Sequence, residues 1–164
     1  VLLDKDDLCV GLPAPSGQAF LVRKPSERDF LDLVNEFWWE TTYVARNLAR
    51  GELLFAKYNL DYVMKLQVLR RLLEWRVSAD HGWDYRAGLL GRGLHPRLEP
   101  DLWAELEGTF GGGDLAENWA SLWRTCVLFR RLAQEMAVRL GVNYPLELDD
   151  RVTGFLKRIE NEQS

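Results

Sequence analysis

Residues 26–51 read Ser26-Glu27-Arg28-Asp29-Phe30-Leu31-Asp32-Leu33-Val34-Asn35-Glu36-Phe37-Trp38-Trp39-Glu40-Thr41-Thr42-Tyr43-Val44-Ala45-Arg46-Asn47-Leu48-Ala49-Arg50-Gly51. Ser26 suits an N-cap, with Asp29 at the capping-box position and Glu27 in the first turn, where the helix dipole favours acids. Phe30, Leu33, Val34, Phe37, Thr41, Val44, Ala45 and Leu48 recur at helical spacing. Gly51 ends the run after Arg46 and Arg50. About 24 residues at roughly 1.5 Å each predict a rod of about 36 Å.

Helical patterning continues down the chain. A second helix is expected from Glu52 to Ala79, ending at His81-Gly82. Residues 82–98 read as a long Gly-rich connection, and structureless loops of that length are often functional. A short third helix follows Pro100, with Leu102, Trp103 and Leu106. Gly111-Gly112-Gly113 breaks the chain. Asp114 then caps a fourth helix, with Glu117 closing the capping box and Gly141 at the C-terminal end. A fifth is expected from Asp149 to Asn161. Residues 1–25, punctuated by Gly11, Pro13, Pro15 and Gly17, read as an extended linker with at most one hairpin and a short strand at Phe20-Leu21-Val22. The expected fold is all-α: a bundle of about five helices over 26–164, behind a short irregular or hairpin segment.

Composition narrows the function. The 164 residues carry 21 Lys and Arg against 25 Asp and Glu, a net charge of -4. A dedicated nucleic-acid binder would show a basic surplus, whereas an acidic balance tolerates a cationic ligand. No apolar run approaches the roughly 20 residues of a membrane span. Cys9 and Cys126 lack neighbours at zinc-ligand spacing, and a reduced, cytoplasmic context is the default expectation. Val1-Leu2-Leu3-Asp4 reads like the interior of a longer protein, with no leader peptide.

The first helix also has a second face. Asp32, Asn35, Glu36, Trp39, Thr42, Tyr43 and Arg46 fall opposite the apolar stripe. Carboxylates there can take cationic groups, and Trp and Tyr faces can take guanidinium groups or sugar rings. The plainer alternative is that this face packs against another domain or helix. Lys57 could meet a phosphate, or else snorkel on the surface. Arg76 and His81 spell Arg-x-x-x-x-His, the short signature of HEPN-type helical ribonucleases. A non-catalytic interaction module is a further alternative. Asp4-Lys5-Asp6 has the form of a magnesium-binding Asp-x-Asp, but no Gly-Ser turn precedes it, and it reads as a solvated turn.

Several stretches taken together resemble one family. Val1-Leu2-Leu3-Asp4-Lys5-Asp6, Lys24-Pro25, Asn35-Glu36-Phe37-Trp38, Thr42-Tyr43-Val44-Ala45-Arg46-Asn47-Leu48-Ala49-Arg50 and Leu53-Leu54-Phe55-Ala56 are similar to aminoglycoside 6-adenylyltransferases from the end of their nucleotidyltransferase domain onward. Glu117-Asn118-Trp119-x-Ser121-Leu122-Trp123, Phe129-Arg130 and Leu140-Gly141-Val142-Asn143-Tyr144-Pro145 resemble their penultimate helix. The resemblance implies an enzyme that moves the AMP group of ATP onto a hydroxyl of streptomycin with magnesium. It also implies an N-terminal nucleotidyltransferase domain, absent here, that holds the catalytic carboxylates. This chain would supply the aminoglycoside surface and be inactive alone, and its face toward the other domain could drive a homodimer. Such an enzyme needs a base, and Glu36 is the first candidate. Gly88-Leu89-Leu90-Gly91-Arg92 departs from a Gly-Lys-x-x-Lys-like stretch of the family. It leaves only Arg92 as a basic group for phosphate there.

Overall fold

The computed structural model describes Gly11 and residues 21–162. The Asp4-x-Asp6 motif, Phe20 and all but the end of the expected hairpin lie outside the described residues. Six α-helices follow in order: α1 (Glu27–Ala49), α2 (Leu53–Lys57), α3 (Arg70–Asp80), α4 (Pro100–Gly108), α5 (Leu115–Leu140) and α6 (Leu146–Asn161). A π-helical stretch, Tyr58–Leu69, fuses α2 to α3 in one rod. No named strand occurs among the described residues, so the fold is all-α as expected.

α1 begins as its sequence dictates. The Ser26 Oγ accepts from Asp29 N at 3.1 Å, and the Asp29 carboxylate accepts from Ser26 N at 2.9 Å. Its apolar stripe is fully buried. Phe37 stacks on Phe129 of α5 with centroids 3.6 Å apart, and Trp38 meets both rings edge-on. α1 therefore lies at the centre, touching the rod, α5 and α6. Cys126 lies in this core, where burial pushes its thiol up to about 12, so it packs as a small apolar group.

Four expectations need correction. The second helix is one rod, but its middle is wound i→i+5 rather than i→i+4. Its buried positions there (Asn59, Leu60, Met64, Lys65, Val68, Leu69) recur every four to five residues, which matches the wider winding. The connection 82–98 is not structureless. It makes two short 3-10 turns, Leu89–Gly91 and His95–Arg97, and buries Tyr85, Ala87, Leu94 and Leu98 in the core. Leu21 does not pair locally: it forms an antiparallel bridge with Arg86, and Val22 N donates to Tyr85 O at 2.9 Å. This strap anchors the chain just before α1. Finally, α6 starts at Leu146, one turn earlier than expected, because Pro145 serves as its N-cap.

At α5, Asp114 accepts from Glu117 N at 3.0 Å, but the Glu117 carboxylate turns away to accept from Gly112 N at 3.1 Å. The capping box is thus half closed, and its other half fastens the three-glycine break. Lys65 reinforces the same corner. Its buried ammonium donates to Asp61 at 2.7 Å, Thr109 O at 2.7 Å and Ser121 Oγ at 3.0 Å, with the Phe110 ring 4.7 Å away. Every proton of the ammonium has a partner, which burial of a charge requires.

Candidate functional site

The second face of α1 remains open over its whole length. Trp39 is 61% exposed although it sits between buried Trp38 and half-buried Glu40. The Trp39 and Tyr43 rings lie 5.8 Å apart at 57°, one turn from each other. Asp32, Asn35, Glu36 and Arg46 are exposed beside them. Thr42 Oγ1 donates to Trp39 O at 2.8 Å, so its lone pairs point outward for a donor.

Two hollows flank this face. On one side a cleft of about 760 Å³ lies between α1 and the rod, lined by Asp32 and Glu36 together with Lys24, Gln67, Arg71 and Glu74. On the other side α6 forms the far wall of a trough. Its first part, about 560 Å³, holds Asp32, Asn35, Glu36, Trp39 and Thr42 against Leu148 and Val152. Its second part, about 340 Å³, holds Trp39, Thr42, Tyr43 and Arg46 against Arg151, Phe155 and Arg158. All seven residues singled out on α1 therefore line one continuous surface.

α6 is held in place by a buried polar knot. Asp149, 2% exposed, accepts from Arg130 Nε at 2.6 Å and Nη2 at 2.5 Å, from Tyr144 OH at 2.8 Å and from Thr153 Oγ1 at 3.0 Å. Trp38 Nε1 donates to Tyr144 OH at 3.0 Å, and the Arg130 guanidinium lies 5.3 Å over the Trp38 ring. The knot joins α1, α5 and α6 directly behind the trough.

Charge at the site is unbalanced. Partial burial raises the Glu40 carboxyl above its ordinary value, and the negative Glu36 one turn away raises it further. Two carboxylates so close favour a cation between them. The Glu36→Gln variant is expected to lower the Glu40 midpoint toward the ordinary range, read by carboxyl NMR titration. An unmoved midpoint would show that the two groups do not sense each other. The sign for stability follows: the folded state prefers protonated Glu40, so its contribution falls as pH rises from about 4.5 through the raised midpoint.

The other candidates lie elsewhere. Lys57 is committed to the α4–α5 corner, donating to Gly111 O at 3.0 Å and Gly112 O at 3.1 Å and pairing with Asp61 at 2.8 Å. Arg92 is exposed in the connection after α3. Neither lines the cleft or the trough. Arg76 is forked onto Glu99 at 2.9 and 3.1 Å, and His81 Nδ1 is 2.8 Å from Val77 O. The Arg-x-x-x-x-His pair is thus spent on packing contacts within the fold. Sequence reasoning missed the α6 wall, although Arg151, Phe155 and Arg158 at spacings of four and three mark one helical face.

Among the described residues, no group of three or more His, Cys, Asp or Glu side chains is placed to hold a metal ion. No helix among them is long and apolar enough to cross a membrane.

Comparison with known proteins agrees with this architecture. The family model described as streptomycin adenylyltransferase matches residues 1–159. The chain belongs to that family. Aminoglycoside 6-adenylyltransferases of Campylobacter jejuni and Bacillus subtilis (strain 168) are each 31% identical to it, over 96% and 97% of its length. That of Staphylococcus aureus is 29% identical over 98%. A crystal structure of an aminoglycoside 6-adenyltransferase from Bacillus subtilis superposes with a TM-score of 0.75 at 28% identity, covering 92% of this chain and 57% of that one. The chain spans about half the length of these relatives, from 54 to 55% of the curated ones. The exposed Trp39-Tyr43 pair and the adjacent carboxylates therefore lie in a family whose relatives are named for acting on aminoglycosides.

Proposed function

We propose that this chain is the C-terminal, aminoglycoside-binding domain of an enzyme that adenylylates streptomycin or a close relative from ATP. The observation that carries the reading is the open face of α1, where carboxylates and exposed aromatic rings line one surface flanked by two hollows. In this reading Asp32, Asn35 and Glu36 take the ammonium or guanidinium groups of the drug. Trp39 and Tyr43 stack on its guanidinium and ring faces, while Thr42 and Arg46 meet hydroxyls. Glu36, which borders both the cleft and the trough, accepts the proton of the attacked hydroxyl. Residues 1–25 connect to an N-terminal nucleotidyltransferase domain. That domain holds magnesium, the phosphates of ATP nearest the reacting bond, and the catalytic carboxylates. The chain alone is inactive, and the whole enzyme works in the cytoplasm.

Calorimetric titration with streptomycin tests the site. Saturable binding that weakens between about 50 and 200 mM salt is expected, because the contacts are charged and half exposed. Trp39→Ala and Glu36→Gln should each weaken it about tenfold or more, the cost of one stacking or charge-assisted contact. Binding that both variants leave intact would move the drug away from α1.

A further inference from the structure

A line of exposed apolar side chains runs along the rod, away from the open face of α1. Leu54, Tyr58, Tyr62 and Leu66 repeat by four, so they stand on one side of the rod. The Tyr58 and Tyr62 rings lie 5.4 Å apart at 31°. Leu54 is 85% exposed, and the other three are close to half exposed. None of the four lines the cleft or the trough. The charges alongside are already satisfied: Lys57, Asp61 and Lys65 pair with one another and with the α4–α5 corner. A partner for this line must therefore be apolar.

The line ends in a hollow of about 150 Å³, which Leu66, Leu90 and Phe110 surround together with Trp103 and Leu106 of α4. An apolar cavity of about that size takes up a benzene ring, which has more carbon atoms than a leucine side chain. Leu90 borders the hollow with φ at 54°, a left-handed conformation that residues other than glycine rarely adopt, and is 70% exposed. At the opposite end of the line stands Leu54, the most exposed of the four.

The spacing decides the partner. Leu54 and Leu66 are equidistant in sequence from the midpoint between Tyr58 and Tyr62. A two-fold axis through that midpoint sets each Tyr58 against the partner's Tyr62 and each Leu54 against the partner's hollow, so every contact is made twice. At about 200 Å² for each large side chain, the exposed parts of Leu54, Tyr58, Tyr62, Leu66, Leu90 and Phe110 amount to roughly 700 Å², near the roughly 800 Å² per partner of a stable interface.

We propose that this chain forms an isologous dimer through the Leu54–Leu66 line of the rod, with Leu54 of each copy seated in the hollow of the other. The α1 faces of both copies stay open in such a dimer. Sedimentation equilibrium across the micromolar range tests it, with an expected mass twice the 19.0 kDa of one chain. Leu54→Asp and Leu90→Asp, at opposite ends of the line, should each weaken the dimer at least tenfold with an unchanged circular dichroism spectrum, because both side chains are exposed. Mixed together, the two variants should associate at least tenfold more tightly than either alone, since one of the two seats is then intact. Trp39→Ser, on the open face of α1, should leave the mass doubled. A monomer throughout, a dimer that Leu54→Asp leaves intact, or no gain on mixing overturns the proposal. A dimer of this chain beside a monomeric complete enzyme would give the line to the nucleotidyltransferase domain and overturn it too. No antibiotic enters the measurement, so the dimer and the proposed function can fail separately.

Discussion

Asp149→Ala should destabilise the fold by about 3–5 kcal/mol, the usual cost of removing one member of a buried ion pair. Asp149 accepts four hydrogen bonds in a nearly sealed site. Its removal strands the Arg130 guanidinium against Trp38 and leaves Tyr144 OH and Thr153 Oγ1 without their acceptor. The stranded groups, more than the lost attraction, set the size of the effect. Burial, followed by the hydrogen bond to Asp149, pushes the Tyr144 phenol far above its ordinary value, so it stays a donor across the working pH range. Against a total stability of about 5–15 kcal/mol the change is large. It corresponds to roughly 6–20 °C in Tm for a domain of this size. Urea unfolding reads it directly. The double variant Arg130→Met, Asp149→Leu removes both charges and should recover most of the loss. A loss below about 1 kcal/mol in Asp149→Ala would mean that the knot carries little of the docking of α6. Because α6 is the far wall of the trough, the single variant should also weaken streptomycin binding.

Local chemistry made much of the fold legible in the sequence. Ser26 with Asp29, Asp114, Pro100 and Gly141 mark helix ends through hydrogen bonds or dihedral limits that act within a few residues, and all four lie where expected. Gly141 adopts φ +72°, the left-handed conformation that ends α5. What stayed hidden depends on distant partners. Glu117 could close its own capping box, but the glycine break folds back and offers Gly112 N instead. Leu21 has strand propensity, but its partner is Arg86, 65 positions away, and local spacing cannot reveal that pairing. The π winding left a faint trace. Leu60, Met64 and Val68 repeat strictly by four, where an α-helix facing one core alternates three and four. For the site, the wheel of α1 was enough to gather seven residues. It could not supply the second wall, because the packing of α6 on α1 is fixed by Trp38, Arg130, Tyr144 and Asp149, which come from three helices and the turn before α6.

The second large effect concerns Glu36. In the complete enzyme, Glu36→Gln should lower the maximal rate by about 10²–10⁴-fold, the range associated with removing a positioned base. The amide keeps the shape and can still accept one hydrogen bond, but it cannot take the hydroxyl proton. Glu36 is exposed at the junction of the cleft and the trough and makes no ion pair among the described residues, so no attractive contact in the fold depends on its charge. Unfolding free energy should therefore change by less than about 0.5 kcal/mol, as for surface substitutions in general. Relief of its repulsion on Glu40 acts toward stability, not against it. A role limited to drug binding predicts a different pattern: KM rises, and the maximal rate at saturating streptomycin stays near that of the parent. The split between the two constants therefore separates a base from a binding carboxylate. Asp32→Asn is the internal comparison. It removes a neighbouring charge from the same cleft, already weakly paired with Arg28 at 3.7 Å, and should act on KM alone. If the two variants behave alike, with the maximal rate preserved in both, the base must be supplied by the nucleotidyltransferase domain, and α1 serves only to hold the antibiotic against it.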